Sequence, residues 1–263
     1  MTRKNTYFIS DIHLGARYIP DAKAHERIIV NWLKSIKHSA KAVYLLGDIL
    51  DYWYEYRNVV PRGYVRFFGT LAELADDGVE IVWFKGNHDT WIFDYLPSEL
   101  GIEIVDGSTT RMIDGHCFFM EHGDGAGRME PGYAMMRSMF RSKICQRLFS
   151  AIHPRWTVGF AHSWSSHSRL SAPPSRTTPI IMDAADPLLE FATDYSRLHP
   201  EIDYYIFGHR HQLSFQDVPG SKARIVLLGD AFRSFSFGVW NGSNFELKEI
   251  ITGNPIDLTL INQ

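Results

Sequence analysis

The hydrophobic residues of this chain fall into short runs, each closed by glycine or a polar cluster, alternating with longer stretches of helical spacing. Residues 6–10, 42–46 and 79–84 are apolar and rich in β-formers, the signature of buried strands. Between them, residues 21–37 carry Ala24, Ile28, Ile29, Trp32, Leu33 and Ile36 at helical intervals after a Pro20-Asp21 start, and residues 61–77 are amphipathic as well. Three strand, turn, helix units in succession predict a parallel core with right-handed crossovers. Residues 102–105, 111–113 and 117–121 read as shorter strands, and 204–207 as a further buried one. Residues 183–198 have helical spacing, with Asp183 as N-cap. Residues 224–228, 234–240 and 245–251 alternate as antiparallel strands do, with 256–261 a candidate addition. The strands of the second half predict a second sheet packed on the first.

What closes the strands changes the picture. Asp11-x-His13 follows the first, Gly47-Asp48-x-x-Asp51 the second and Gly86-Asn87-His88-Asp89 the third. His122-Gly123-Asp124 and Gly208-His209-Arg210-His211 close two later strands. At a strand's end, a two-residue offset can aim both side chains into the crevice beyond the sheet, where open α/β folds bind ligands. An oxygen ligand beside an imidazole suits Mn, Fe or Zn better than Ca or Mg. Singly, each motif has a plain structural explanation: Asp forms turns, Asn87 caps one, and a His pair is polar surface. Five such motifs, each just past an apolar run, form one set. A second Leu-Leu-Gly-Asp at 227–230 repeats 45–48, but the Ala-Phe-Arg-Ser that follows lacks the second carboxylate, so Asp230 reads as a turn residue.

With 263 residues the chain can bury the core of one large α/β domain. A net charge of −3 disfavours a nucleic-acid-wrapping surface, and no nucleic-acid partner is expected. Cys117 and Cys145 lack metal or redox spacing and read as reduced thiols. The N-terminus runs straight into the first strand, and no stretch approaches the ~20 apolar residues of a membrane span, so a cytoplasmic location is expected. Residues 128–176 depart from the acidic whole: eight cations (Arg128, Arg137, Arg141, Lys143, Arg147, Arg155, Arg169, Arg176) face one anion, Glu130. Met136, Phe140, Ile144, Leu148 and Ile152 recur every fourth residue there, predicting an amphipathic helix with basic flanks. Such a helix suits a membrane interface or an amphiphile with an anionic head, and equally an ordinary helical cap. Met and Phe suit a pocket for flexible chains.

The ordered motif set resembles the calcineurin-like metallophosphoesterase family over nearly the whole chain. The resemblance implies an α/β fold, a four-layer αββα sandwich over residues 1–263 with 128–176 as a helical lid insertion. It further implies two divalent metal ions, Mn²⁺ in the first place and Fe or Zn as alternatives. Asp11, His13 and His211 would hold one, Asn87, His122 and His209 the other, and Asp48 would bridge them. His88, bonded to Asp51, would stabilise the transition state or protonate the leaving oxygen. A narrower resemblance rests on Phe-Ile-Ser-Asp-Ile-His-Leu, Gly-Asp-Ile-Leu-Asp-Tyr-Trp, Gly-Tyr at 132–133, the basic insertion and Gly-His-Arg-His-Gln. It points to the branch that cleaves UDP-2,3-diacylglucosamine to UMP and 2,3-diacylglucosamine 1-phosphate in lipid A biosynthesis, peripherally on the cytoplasmic face of the inner membrane. That branch implies a UDP-linked acylated sugar as substrate, contacted by Asn87, His88, Glu130, Tyr133, Ser168, Arg169 and His209, with Trp53 walling the site. His88 stands where many members of that branch carry Arg, the arrangement of general phosphoesterases. A soluble broad-specificity metallophosphodiesterase or nucleotide pyrophosphatase is therefore the alternative. A non-catalytic scaffold of this fold would be expected to have lost ligands, and none is missing.

Overall fold

In the computed structural model, which describes residues 3–157, 159 and 178–258, two mixed sheets stack face to face with helices on both outer faces. The first sheet is built from β1 (Asn5–Ile9), β2 (Ala40–Leu46), β3 (Glu80–Phe84) and β4 (Glu103–Val105), all parallel. Helices α1 (Ala22–Ile36), α2 (Val65–Asp76) and the short α3 (Tyr95–Leu100) make the crossovers. The second sheet holds β5 (Thr109–Ile113), β6 (His116–Glu121), β7 (Tyr204–Phe207), β8 (Leu213–Asp217) and β9 (Arg224–Leu228), in the order β5-β6-β7-β9-β8. Helices α4 (Pro131–Arg141) and α5 (Lys143–Ser150) follow β6, and α6 (Pro187–Leu198) precedes β7.

The period of two along each strand assigns the layers. Tyr7, Ile9, Val43, Leu45, Ile81 and Trp83 face outward onto Ile29, Leu33, Phe67 and Leu71 of α1 and α2. Their neighbours Phe8, Tyr44, Leu46, Val82 and Phe84 face inward and meet Phe118, Met120, Ile206, Val226 and Leu228 of the second sheet. Phe119, Tyr205, Phe207, Ile225 and Leu227, on the far face of that sheet, pack on Leu188, Leu189 and Ala192 of α6. The central strands are thus buried on both faces, which is why they read as continuous apolar runs, while the edge strands β4, β5 and β8 stay partly exposed. The layering is the expected αββα sandwich.

Several expectations change. Strands β10 (Ser236–Trp240) and β11 (Phe245–Glu249) leave the second sheet and join the first, β10 lying antiparallel to β1. β9 runs parallel to β7. Alternation reports that a face is buried and not which sheet buries it. The helix expected from Asp183 starts at Pro187, because Asp186 caps it by accepting the Leu188 N–H at 3.0 Å and Pro187 suits the first turn. The single helix expected through Met136 and Ile152 is broken at Ser142, whose φ of −70° and ψ of 120° are extended. A candidate strand at the C-terminus reduces, within the described residues, to a bridge between Lys248 and Pro255. Among the described residues no helix is long and apolar enough to cross a membrane.

Candidate metal centre

The polar segments that follow β1, β2, β3, β6 and β7 converge at one edge of the stacked sheets. Backbone bonds lace them together: Asp11 N–H to Gly47 O at 3.0 Å, His13 N–H to Asp48 O at 2.9 Å and Gly208 N–H to His122 O at 2.9 Å. Asp11, His13, Asp48, His209 and His211 all sit at φ between 50° and 64°. Left-handed backbone costs an ordinary residue roughly 1–2 kcal/mol, and such outliers gather where surrounding structure imposes them for a site. The fit between loops is tight. A Cβ on Gly86 would fall 2.2 Å from Asp48 Oδ1, and one on Gly47 would fall 2.5 Å from His122 Nδ1.

Asp48 lies at the middle. Its Oδ2 is 3.4 Å from His122 Nε2, 3.7 Å from His13 Nε2 and 4.0 Å from His88 Nε2, while Oδ1 accepts the His88 backbone N–H at 2.8 Å. Asp11 Oδ1 is 3.3 Å from His211 Nε2 and 3.8 Å from His13 Nε2, and Oδ2 accepts the His209 N–H at 2.8 Å. Asn87 Oδ1 is 3.3 Å from His122 Nε2. Among the described residues three groups of mutually close donors result: Asp11 with His13 and His211, Asp48 with His122 and His209, and His13 with Asp51 and His88. All seven residues expected as ligands therefore meet at one place, partitioned in two halves around Asp48.

The charges of this cluster are strongly coupled. Burial alone would raise the carboxyls of Asp11 and Asp48, but the surrounding imidazoles outweigh it and hold both well below the usual range. Burial lowers His209 to about 4, helped by the neighbouring His122. His122 is instead held well above its ordinary value, because the adjacent Asp48 overcomes the cost of burial. Asp11 Oδ1 is buried without a hydrogen-bond partner among the described residues. The orphaned Asp11 oxygen, the buried Asp48 carboxylate, the Asn87 amide oxygen and the imidazole nitrogens form a mixed O/N donor set that fits divalent ions.

His88 and Asp51 meet differently from the expectation. The His88 Nδ1–H donates to the Asp51 backbone carbonyl at 3.0 Å, and the Asp51 carboxylate is nearer to His13 Nδ1, at 3.3 Å, than to His88 Nδ1, at 3.7 Å. Burial lowers the pKa of His88, leaving its Nε2 directed at the cluster as a neutral nitrogen.

Of the expected substrate contacts, Tyr133 stands beside the centre: its ring is 6.2 Å from that of His209, and its buried hydroxyl has no hydrogen-bond partner among the described residues. Glu130 is exposed at the start of α4. Ser168 and Arg169 lie outside the described residues. Trp53 does not wall the site. It is fully buried in the core against Tyr64, Phe68 and Tyr95, with its indole N–H on Glu55 Oε1. An aromatic beside a ligand motif looks the same in sequence whether it faces the crevice or the core.

Two residues that hold the centre were not singled out by sequence. Asp89, fully buried, accepts N–H groups from Gly86 at 2.7 Å and Ile49 at 2.8 Å and the Trp83 indole at 3.2 Å, tying the second and third ligand loops together. Burial raises its carboxyl to about 6. His25 reaches from α1 to donate to the Ile12 carbonyl at 2.8 Å, between the candidate ligands Asp11 and His13. Asp89 was visible as the last member of Gly-Asn-His-Asp; a lone His on a helix carries no such signal.

The basic insertion is docked on the rim of this centre. Arg137 of α4 pairs with Asp124 at 2.7 Å, the Trp91 indole donates to Phe140 O at 2.8 Å, and the Tyr54 hydroxyl donates to Gln146 O at 2.6 Å. Met135, Met139, Ile144, Leu148 and Trp156 remain exposed on it, Met135 by 74%.

The family model for calcineurin-like phosphoesterases matches residues 4–213. A relative from Porphyromonas gingivalis, named UDP-2,3-diacylglucosamine hydrolase, is 43% identical over 94% of this chain and 98% of its own. Proteins of the same name from Aeromonas hydrophila (28% identity, 88% of this chain, 92% of theirs) and Ralstonia nicotianae (24%, 95% and 92%) are similar to it as well.

Proposed function

The chain belongs to the calcineurin-like phosphoesterase family, and on that premise we propose that it hydrolyses the pyrophosphate of UDP-2,3-diacylglucosamine, a step of lipid A biosynthesis, giving UMP and 2,3-diacylglucosamine 1-phosphate. The observation that carries the reading is the complete donor set in a chain that matches the Porphyromonas gingivalis hydrolase over 94% of its length.

Asp11, His13 and His211 would hold one divalent ion and Asn87, His122 and His209 the other, with Asp48 between them. The mixed O/N set favours Mn²⁺, with Fe or Zn as alternatives. Such a pair supplies Lewis acidity toward the phosphoryl oxygens and lowers the pKa of a water. The chain's own groups do the rest. Asn87 contributes a neutral ligand where an anionic substrate must sit. His88 is fixed through Nδ1 on the Asp51 carbonyl, so Nε2 faces the reacting phosphate. Burial lowers its pKa, the negative charge of a bound phosphate would raise it, and a proton on Nε2 would then be placed for the leaving oxygen. The unpartnered hydroxyl of Tyr133 is available to donate to a phosphate or sugar oxygen.

The exposed apolar residues of the insertion lie among Arg and Lys, the composition of a segment that contacts acyl chains and anionic headgroups. This supports peripheral contact with the inner membrane from the cytoplasmic side. Purified protein supplied with Mn²⁺ is expected to release UMP from UDP-2,3-diacylglucosamine and to act far more slowly on unacylated UDP-glucosamine. Equal rates on the two would favour a soluble nucleotide pyrophosphatase, and no release from either would overturn the reading.

A further inference from the structure

The connection between β9 and β10 crosses from the second sheet to the first directly beside the metal centre, where the Ala231 N–H donates to Asp11 O at 3.1 Å. Asp230 opens this connection and is 1% exposed. Its Oδ1 accepts the backbone N–H groups of Arg233 at 2.8 Å and Ser234 at 2.9 Å, which makes it the turn residue that the sequence suggests. Those bonds use one oxygen. The other, Oδ2, is directed at His211, 3.6 Å from its Nδ1, while Nε2 of the same ring lies 3.3 Å from Asp11 Oδ1. Asp11, His211 and Asp230 therefore stand in line, with the imidazole between two carboxylates.

We propose that Asp230 is a positioning residue for this centre: its carboxylate holds the His211 ring with the proton on Nδ1, so that Nε2 presents its lone pair beside Asp11. An imidazole ligand needs its second nitrogen held in this way, since that bond sets both tautomer and ring orientation and raises the basicity of the donor. The turn bonds prevent the Asp230 carboxylate from swinging out, so the charge is fixed by the backbone itself. Two other imidazoles show the same construction with different partners. His13 Nδ1 faces the Asp51 carboxylate at 3.3 Å, and His122 Nδ1 donates to the Leu46 carbonyl at 2.7 Å. Both imidazoles of the Asp11 half are thus backed by carboxylates, whereas His122 in the other half is backed by a neutral carbonyl. The Asp11 half should be the tighter of the two metal sites, and Asp230 contributes to that difference.

This inference rests on the assignment of His211 as a metal ligand, and the test separates the two. Calorimetric titration of metal-free protein with Mn²⁺ would be compared for wild type, Asp230→Asn and His211→Ala. Asn keeps an oxygen for the Arg233 and Ser234 N–H groups and removes the charge facing His211. Asp230→Asn is expected to weaken one Mn²⁺ site by about 10- to 100-fold, leaving the other site and the thermal midpoint of the metal-free protein close to wild type. Wild-type affinity in Asp230→Asn alongside weakened binding in His211→Ala would overturn the role of Asp230. Undiminished binding in His211→Ala would overturn the metal assignment itself. A measurement on unmodified protein covers the case in which the variant does not fold. ¹⁵N NMR of the His211 side chain in the metal-free protein should show a proton on Nδ1, and a neutral ring protonated on Nε2 would sink the proposal.

Discussion

Oδ2 of Asp48 lies 3.4 Å from Nε2 of His122, and the same oxygen is the one that His13 approaches from the other half of the centre. One carboxylate from the end of β2 thus joins donors carried by both sheets. Asp48→Ala is expected to reduce bound Mn²⁺ at both positions, whereas His13→Ala reduces it mainly at one. Metal content after dialysis, read by mass spectrometry, checks this; equal loss in the two variants would contradict a bridging role.

Gly86→Ala tests the close approach of the second and third ligand loops. The new methyl would meet the Asp48 carboxylate and its backbone nitrogen, at 2.2 Å and 2.4 Å, and has to push the carboxylate aside. A displacement of that order misplaces a reacting group enough to cost about 100-fold in turnover. Steady-state hydrolysis at saturating Mn²⁺ reads it, and near-normal activity would mean that the loops have more freedom than their contacts indicate.

His25 gives the centre a pH dependence that does not involve a ligand directly. Burial lowers its pKa from the ordinary 6.5, with the bond to Ile12 O acting the other way. The unfolded chain therefore binds more protons than the folded one below about pH 6.5, so stability falls as pH falls through that value and below it. His25→Gln keeps a donor for Ile12 and removes the titration. The midpoint of wild type minus that of the variant should decline from about pH 7.5 to about pH 5. A difference that is flat or rises toward acid would rule this out.

Trp91 anchors the insertion through its bond to Phe140 O, next to the break at Ser142. Trp91→Phe removes the donor while keeping an aromatic ring against Phe140 and Phe149. A net loss of about 1 kcal/mol is expected, confined to the anchor. Amides of α4 and α5 should exchange hydrogen faster while those of β1 and β2 stay unchanged.

The exposed Ile144 and Leu148 carry the expected membrane contact. Replacing both with Glu should weaken co-sedimentation with anionic phospholipid vesicles on the order of 10-fold or more, since it removes apolar burial and adds like charge. Unchanged sedimentation would detach the membrane reading from this face.

The sequence by itself determined the buried strands, β8 excepted, and the ligand motifs, because each depends on a local pattern. An apolar run is visible as a run, and Asp-x-His or Gly-Asn-His-Asp is visible at its end. Sheet membership was not local: β10 joins β1 from more than two hundred residues away, and its alternation is the same whichever sheet receives it. The side a ring faces was not local either, so Trp53 reads like a site residue and packs as core. Asp230 and His25 gained their relation to the ligands only when the chain crossed between sheets and when α1 folded back on the first loop. A ligand can be recognised from its chemistry and its place at the end of a strand. The groups that hold it are recognised only from contacts between distant segments, and those exist only in the folded chain.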